Sequence, residues 1–336
     1  MCRHSVVTLN PSIRNLHVAG GFSRDCIVYA DGTYTGAQLG GNALWAALGA
    51  GVLGTRTVAH SVLGEGYPED AIARIQERGV DMSAVRRAPH LLGIRVTYTY
   101  EADGTRRNPA TPEALALLPE DVRRSFIDTT RLPHEALGAV PTAAELPADN
   151  ADTAWHLGLL PVERFTELVT HLAPTAAYLQ ADCPARFQLR DEGLDALAAV
   201  LPMLDVFLPS TSDAAVFAPD LDPIELVEAF HDLGARTVVL KCAEDGAIVS
   251  TDGGRRRRLV PVFPVTDVRD ATGAGDVFAG AFAAAVCAGE DYVHAAVAGA
   301  AAASFAVGVT SPLDLSADPA ALAARRSHID ERVTEL

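Results

Sequence analysis

The chain has 336 residues, 49% of them apolar and 21% charged, so it can bury a sizeable core and is long enough for one large α/β domain or two small ones. Its 27 basic and 43 acidic residues leave a net charge of −16, which argues against a nucleic-acid surface. Lysine occurs once, at Lys241 between Leu240 and Cys242, so a Gly-Lys-Ser/Thr P-loop is excluded.

The first residues, MCRHSVVTLNPSIRN, lack the apolar run of a signal peptide, and no stretch is apolar for the roughly 18 residues that a membrane span needs. Five scattered cysteines (Cys2, Cys26, Cys183, Cys242, Cys287) show no CxxC spacing, which points to reduced thiols and a cytoplasmic protein. None of the histidines has metal-ligand spacing.

Leu16-His-Val-Ala-Gly-Gly reads as a strand ending in a glycine turn. Cys26–Tyr29 and Thr33–Leu39 read as short strands joined by Asp31-Gly32, a hairpin signal. Gly40-Gly41-Asn42 opens an Ala/Leu-rich helix predicted to close near Gly49, and Thr57–Val62 returns as a strand. Pro68 to Gly79 carries the marks of a helix: proline at the start, acids in the first turn, arginine then glycine at the end. Ile94–Tyr100 is β-prone, and Ala102-Asp-Gly-Thr offers a second hairpin turn. Residues 109–153 read as short helices and loops.

From there apolar runs at Ala154–Leu160, Ala176–Asp182, Val206–Pro209 and Thr237–Lys241 alternate with helical stretches at Glu163–His171, Leu194–Leu201 and Pro223–Leu233. That rhythm predicts a doubly wound, mostly parallel sheet sandwiched by helices. The early hairpins do not fit it and predict a small antiparallel β lid. Arg255–Arg258 follow Asp252-Gly253-Gly254 and read as a solvated hairpin tip.

The most specific segment is Asp270-Ala-Thr-Gly-Ala-Gly-Asp276, between the strand-like Pro264–Val268 and the helical run from Val277. Glycines at a strand-to-helix junction let successive N–H groups converge with the helix dipole into an anion pocket. A carboxylate there repels phosphate, so it makes sense as a base for a nucleophile aimed at that phosphate. A plain Gly-rich helix start is the bland reading, and the full string is far more specific than that.

This string, with Gly40-Gly41-Asn42-Ala43 opening a helix that runs to Val52-Leu53-Gly54, resembles the ribokinase-like PfkB carbohydrate kinases over about residues 13–312. The resemblance implies a single ribokinase-like domain across 1–336, with lid segments near 26–39 and 93–108. It implies ATP and Mg²⁺, permits a monovalent cation, and carries the family habit of a lid-to-lid homodimer. Asp276 would be the catalytic base, and the amides of Thr272, Gly273, Ala274, Gly275 and Asp276 the anion hole. Asp25, Ser23, Gly41, Asn42, Trp45 and Arg95 would contact substrate. Lys241, Gly246, Ala300 and Ser304 would border the nucleotide, and Asp182 begins a segment similar to the family's Asp-Pro-x-x-Arg.

The departures leave alternatives open. The family's Asn-x-x-Glu is Ser210-Thr211-Ser212-Asp213 here, so Asp213 either organises Mg²⁺ through water or belongs to an ordinary helix cap. Trp45 replaces a substrate-contacting Asn and either stacks on a substrate face or is core. Lys241 either meets a nucleotide phosphate or pairs with Glu244. Arg95, Thr97 and Tyr98 share the lid strand, and their spacing does not say which of them face inward. The acceptor is then a small sugar or cyclitol, with a nucleoside as the alternative; a catalytically weak sugar-binding sensor is a third reading. No nucleic acid or membrane is implied as partner.

Overall fold

The structure is a computed structural model that describes residues 13–102 and 106–336. The hairpin turn read at Ala102–Thr105 therefore falls largely outside the described residues, at 103–105. The chain opens with β1 (Asn15–Ala19), β2 (Ser23–Tyr29), β3 (Tyr34–Gly40) and α1 (Asn42–Val52). It continues through β4 (Thr57–Leu63), α2 (Glu69–Glu77), β5 (Val80–Asp81), β6 (Val85–Arg87), β7 (Ile94–Tyr100) and β8 (Arg106–Arg107). Short helices α3 (Pro112–Ala116), α4 (Glu120–Arg123) and α5 (Pro133–Gly138) precede β9 (Thr153–Leu157), α6 (Val162–Leu172), β10 (Tyr178–Asp182) and α7 (Arg186–Glu192). Then come β11 (Val206–Leu208), α8 (Thr211–Phe217), α9 (Pro223–Asp232), β12 (Val238–Lys241), β13 (Ala247–Thr251) and β14 (Arg256–Val260). The chain closes with α10 (Ala274–Cys287), α11 (Tyr292–Ala306), α12 (Pro319–Asp330) and β15 (Thr334–Glu335).

The large sheet runs β15-β14-β13-β12-β11-β10-β9-β1-β4-β5, with β6 also on β4. From β12 to β5 it is parallel, and β13, β14 and β15 add an antiparallel end. Its central strands are buried along their whole length, as in β9 (Thr-Ala-Trp-His-Leu) and β10 (Tyr-Leu-Gln-Ala-Asp). A parallel sheet covered on both faces requires this, and that is why those runs read as nearly continuous apolar stretches. The fold is thus α/β, with a mostly parallel sheet between helix layers, as the strand–helix rhythm predicts.

The lid is a second sheet, ordered β3-β2-β7-β8. Its β2–β3 and β7–β8 pairs are antiparallel, and the two are joined by a parallel β2–β7 pairing that puts Asp25 beside Val96. Strand alternation divides its faces: Arg95, Thr97 and Thr99 are buried on one side, while Ile94, Val96, Tyr98 and Tyr100 stay half-buried on the other. The buried side packs Cys26 and Val28 against Ala114, Leu118 and Phe126 from the α3–α4 segment. Asp128 and Thr129 accept hydrogen bonds from the Thr97 and Arg95 amides, covering the β7 edge.

Three predicted elements differ. The first helix continues past Gly49 to Val52, because Gly49 is not a stop. It lets α1 press against Val277 at the start of α10, where a methyl group would overlap backbone. Pro264–Val268 is not a strand: it is largely exposed and, having Pro264, lacks an amide for a ladder. Leu194–Leu201 forms a short 3-10 turn at Leu194–Leu197 rather than an α-helix, and Pro202 sits in a second such turn. The helix after β10 is instead α7, ended by Gly193 at φ 83°.

Candidate active site

The carboxyl ends of β1, β9, β10, β11 and β12 lie on one edge of the sheet, the edge where α/β folds bind ligands. Helix α10 begins there. Its packing against α1 is close because Gly280 faces the Ala46 carbonyl, where any Cβ would collide with backbone. Gly273 caps the helix in the left-handed region at φ 80°, and a side chain there would overlap the Trp45 ring. Of the two alternatives the sequence left open for Trp45, the core placement is observed, and the ring also borders a small pocket. It is 3% exposed in a core cluster, and it lines a cleft with Asp25, Gln38, Tyr98, Asp270 and Thr272.

The loop itself is partly committed. The Thr272 amide donates to Asp270 Oδ1 at 2.8 Å and the Ala274 amide to the Ala271 carbonyl at 3.2 Å. These two amides are not free for an anion, which corrects the sequence-based hole. The amides of Gly273, Gly275 and Asp276 have no such partner among the described residues and remain available at the positive end of α10. Thr272 acts through its hydroxyl instead, which accepts a hydrogen bond from Arg106 of the lid. Tyr100 Oη donates to Asp270 Oδ1 at 2.7 Å, so the lid is tied to the loop at two points.

Asp276 is half-buried in the first turn of α10. Burial pushes its carboxyl up to about 7; Asp182 and Asp213 add to the shift while Lys241 and Arg106 oppose it. Asp25 is buried, accepts from Ser23 Oγ at 2.6 Å, and is likewise pushed up to about 7, chiefly by burial. Arg106 opposes the upward shift of both carboxyls, so the lid supplies a cation that both feel. It was overlooked in the sequence, where nothing but its place beside a predicted lid turn marks it.

Lys241 pairs with Asp182 Oδ1 rather than with Glu244, and its Nζ lies 3.5 Å from the Gly275 carbonyl. Burial opposes the Lys241 charge, but Asp182 outweighs that and raises its pKa. Asp213 sits in the cap of α8: Ser210 Oγ accepts from the Asp213 amide at 3.1 Å and donates to its carboxylate at 2.6 Å, and Arg186 holds the other oxygen at 3.2 Å. No group of three or more His, Cys, Asp or Glu among the described residues is arranged to hold a metal ion.

Other candidates stand apart from the cleft. Arg95 points to the Leu92 carbonyl at 3.2 Å and toward Glu65, on the β7 face opposite Tyr98, so it does not meet a substrate over the cleft. Asn42 spends its amide on stitching, accepting from the Gly21 amide and donating to the Leu159 carbonyl. Gly41 is the N-cap of α1, at φ 106°. Gly246 turns β12 into β13 at φ 95°, where a side chain would strike the Val260 carbonyl. Ala300 and Ser304 are buried on α11; the Ser304 hydroxyl accepts from Arg325, whose guanidinium lies 3.7 Å from the Phe305 ring centroid.

The fold is shared with solved kinases. The aminoimidazole riboside kinase of Salmonella enterica, solved with aminoimidazole riboside and an ATP analogue, superposes with a TM-score of 0.72 at 18% identity, covering 93% of this chain and all of that one. The profile of the pfkB family carbohydrate kinases matches residues 18–318, and the chain belongs to that family. Among curated relatives, a cytidine kinase of Thermococcus kodakarensis is 22% identical over 271 residues, 80% of this chain and 87% of that protein. A 2-dehydro-3-deoxygalactonokinase of Haloferax volcanii is 31% identical over 239 residues, 63% and 71% of the two chains.

Proposed function

We propose that this chain transfers the γ-phosphoryl group of ATP to a hydroxyl of a small sugar or cyclitol held in the Asp25 cleft. The observation that carries the reading is the α10 start: a base-competent carboxylate, Asp276, beside free amides and two cations, Arg106 and Lys241. Asp276 in its ionised form takes the acceptor proton as the hydroxyl attacks. The amides of Gly273, Gly275 and Asp276 hold the transferring group, so catalysis is mainly positioning and charge stabilisation. Arg106 draws the lid onto the loop and adds positive charge where negative charge accumulates. Asp25 and Ser23 grip acceptor hydroxyls. A Mg²⁺ ion arriving on the nucleotide phosphates would supply neutralising charge there, and Asp213 is the carboxylate that would help to hold its hydration shell.

A nucleoside acceptor is the second reading, favoured by the Trp45 and Tyr98 rings that line the same cleft as Asp25. A coupled ADP-release assay over pentoses, hexoses, inositols, 2-keto-3-deoxy sugar acids and nucleosides separates the two. If no acceptor gives ADP while a sugar still binds, the sensor reading replaces both.

A further inference from the structure

The β9 residue His156 is fully buried beneath the site, and nothing above gives it a role. Its neighbours settle its proton. Gln180 Nε2 donates to the Ala279 carbonyl of α10 at 2.9 Å and lies 3.1 Å from His156 Nδ1, while Gln180 Oε1 accepts from Tyr178 Oη at 2.9 Å. A carbonyl partner requires the amide nitrogen on that side, so Gln180 is a double donor and Nδ1 must accept. The imidazole proton therefore sits on Nε2. That nitrogen is buried, has no hydrogen-bond partner among the described residues, and stands 3.7 Å from Asp182 Oδ2. Burial, with the Lys241 charge beside it, pushes His156 down to about 3, so it stays neutral.

Asp182 thus has a neighbour on each oxygen: Lys241 holds Oδ1, and His156 Nε2 stands 3.7 Å from Oδ2. Lys241 also reaches toward the Gly275 carbonyl of the anion loop. We propose that His156 is a positioning residue for nucleotide binding: it takes over Asp182 when Lys241 turns from that carboxylate to the incoming triphosphate. A buried carboxylate that lost its cation without a replacement donor would resist the exchange, because an unpaired buried charge is costly. The closing of 3.7 Å to hydrogen-bond length supplies that donor. Gln180 keeps the imidazole in the required tautomer and links it to α10, the helix whose first turn carries Asp276. The inference rests on the reading of Lys241 as a phosphate contact.

The test is a double-mutant cycle on ATP affinity, read by calorimetry beside KM and kcat. His156→Asn keeps an acceptor for Gln180 and removes the Nε2 donor; His156→Gln restores a donor near the Nε2 position. His156→Asn is expected to weaken ATP binding about tenfold with a smaller change in kcat, and His156→Gln to recover most of it. In a Lys241→Met background, His156→Asn is expected to change ATP affinity less than twofold. If His156→Asn weakens ATP equally in both backgrounds, or not at all in the wild type, the handover is wrong. If Lys241→Met leaves ATP affinity unchanged, the phosphate reading of Lys241 has failed instead, and the handover falls with it. Should His156→Asn not fold, Gln180→Leu, which frees the tautomer, takes its place in the cycle: weaker ATP binding only where Lys241 is present supports the handover, and an equal or absent effect overturns it.

Discussion

At the scale of single residues, the site is governed by two carboxyls held above their ordinary range. Asp276 acts as a base only when ionised, so kcat/KM is expected to rise with unit slope as pH approaches about 7 and to level off above it. A pH–rate profile checks this, and a flat profile from pH 5 to 8 would remove Asp276 from the role. The same shift has a stability consequence. Folding raises Asp25 from 3.8 to about 7, so the folded state holds the extra proton between those values. Its contribution is then fully present at low pH and lost as pH rises through about 7. Thermal melts of Asp25→Asn should show a weaker decline over pH 4 to 7 than the wild type. Asp25 and Asp276 were legible in the sequence because motif and glycine context single them out. Arg106 and the direction of Arg95 were not. Alternation says that Arg95 and Tyr98 lie on opposite faces, but only the packing of Cys26 and Val28 on α3–α4 says which face is inside.

At the scale of elements, the loop is placed by the contact of α1 with α10. Gly280→Val puts a branched side chain into the Ala46 backbone and should cost about 1–3 kcal/mol or more, with loss of turnover, as read by chemical denaturation and the ADP assay. Gly273→Ala should cost about 1–2 kcal/mol from its positive φ alone, and the Trp45 contact adds to it. The helix α10 was readable because its start, its glycines and its apolar run agree. Pro264–Val268 misled because β-prone residues describe what can pair, not whether a neighbouring strand is there. The parallel β2–β7 joint of the lid lay beyond reading as well, since the two strands are far apart in sequence and no turn residue marks their pairing.

At the scale of the whole molecule, the lid's Cys26 and Val28 are covered from within the chain by Ala114, Leu118 and Phe126. The net charge of −16 gives no attraction for a nucleotide at long range, so binding has to come from local groups. The amides at the α10 start, Arg106 and the single lysine supply them. The alternation of strands and helices made this architecture legible, whereas the cleft, assembled from the lid, α1 and the Asp270–Asp276 loop, was visible only in part. The most direct test is the coupled ADP-release assay run on wild type and Asp276→Asn with nucleotide binding measured in parallel. The expected result is acceptor-dependent ADP from the wild type, a loss of about 10²- to 10⁴-fold in Asp276→Asn, and ATP affinity retained. Acceptor-dependent turnover that survives in Asp276→Asn would contradict the account.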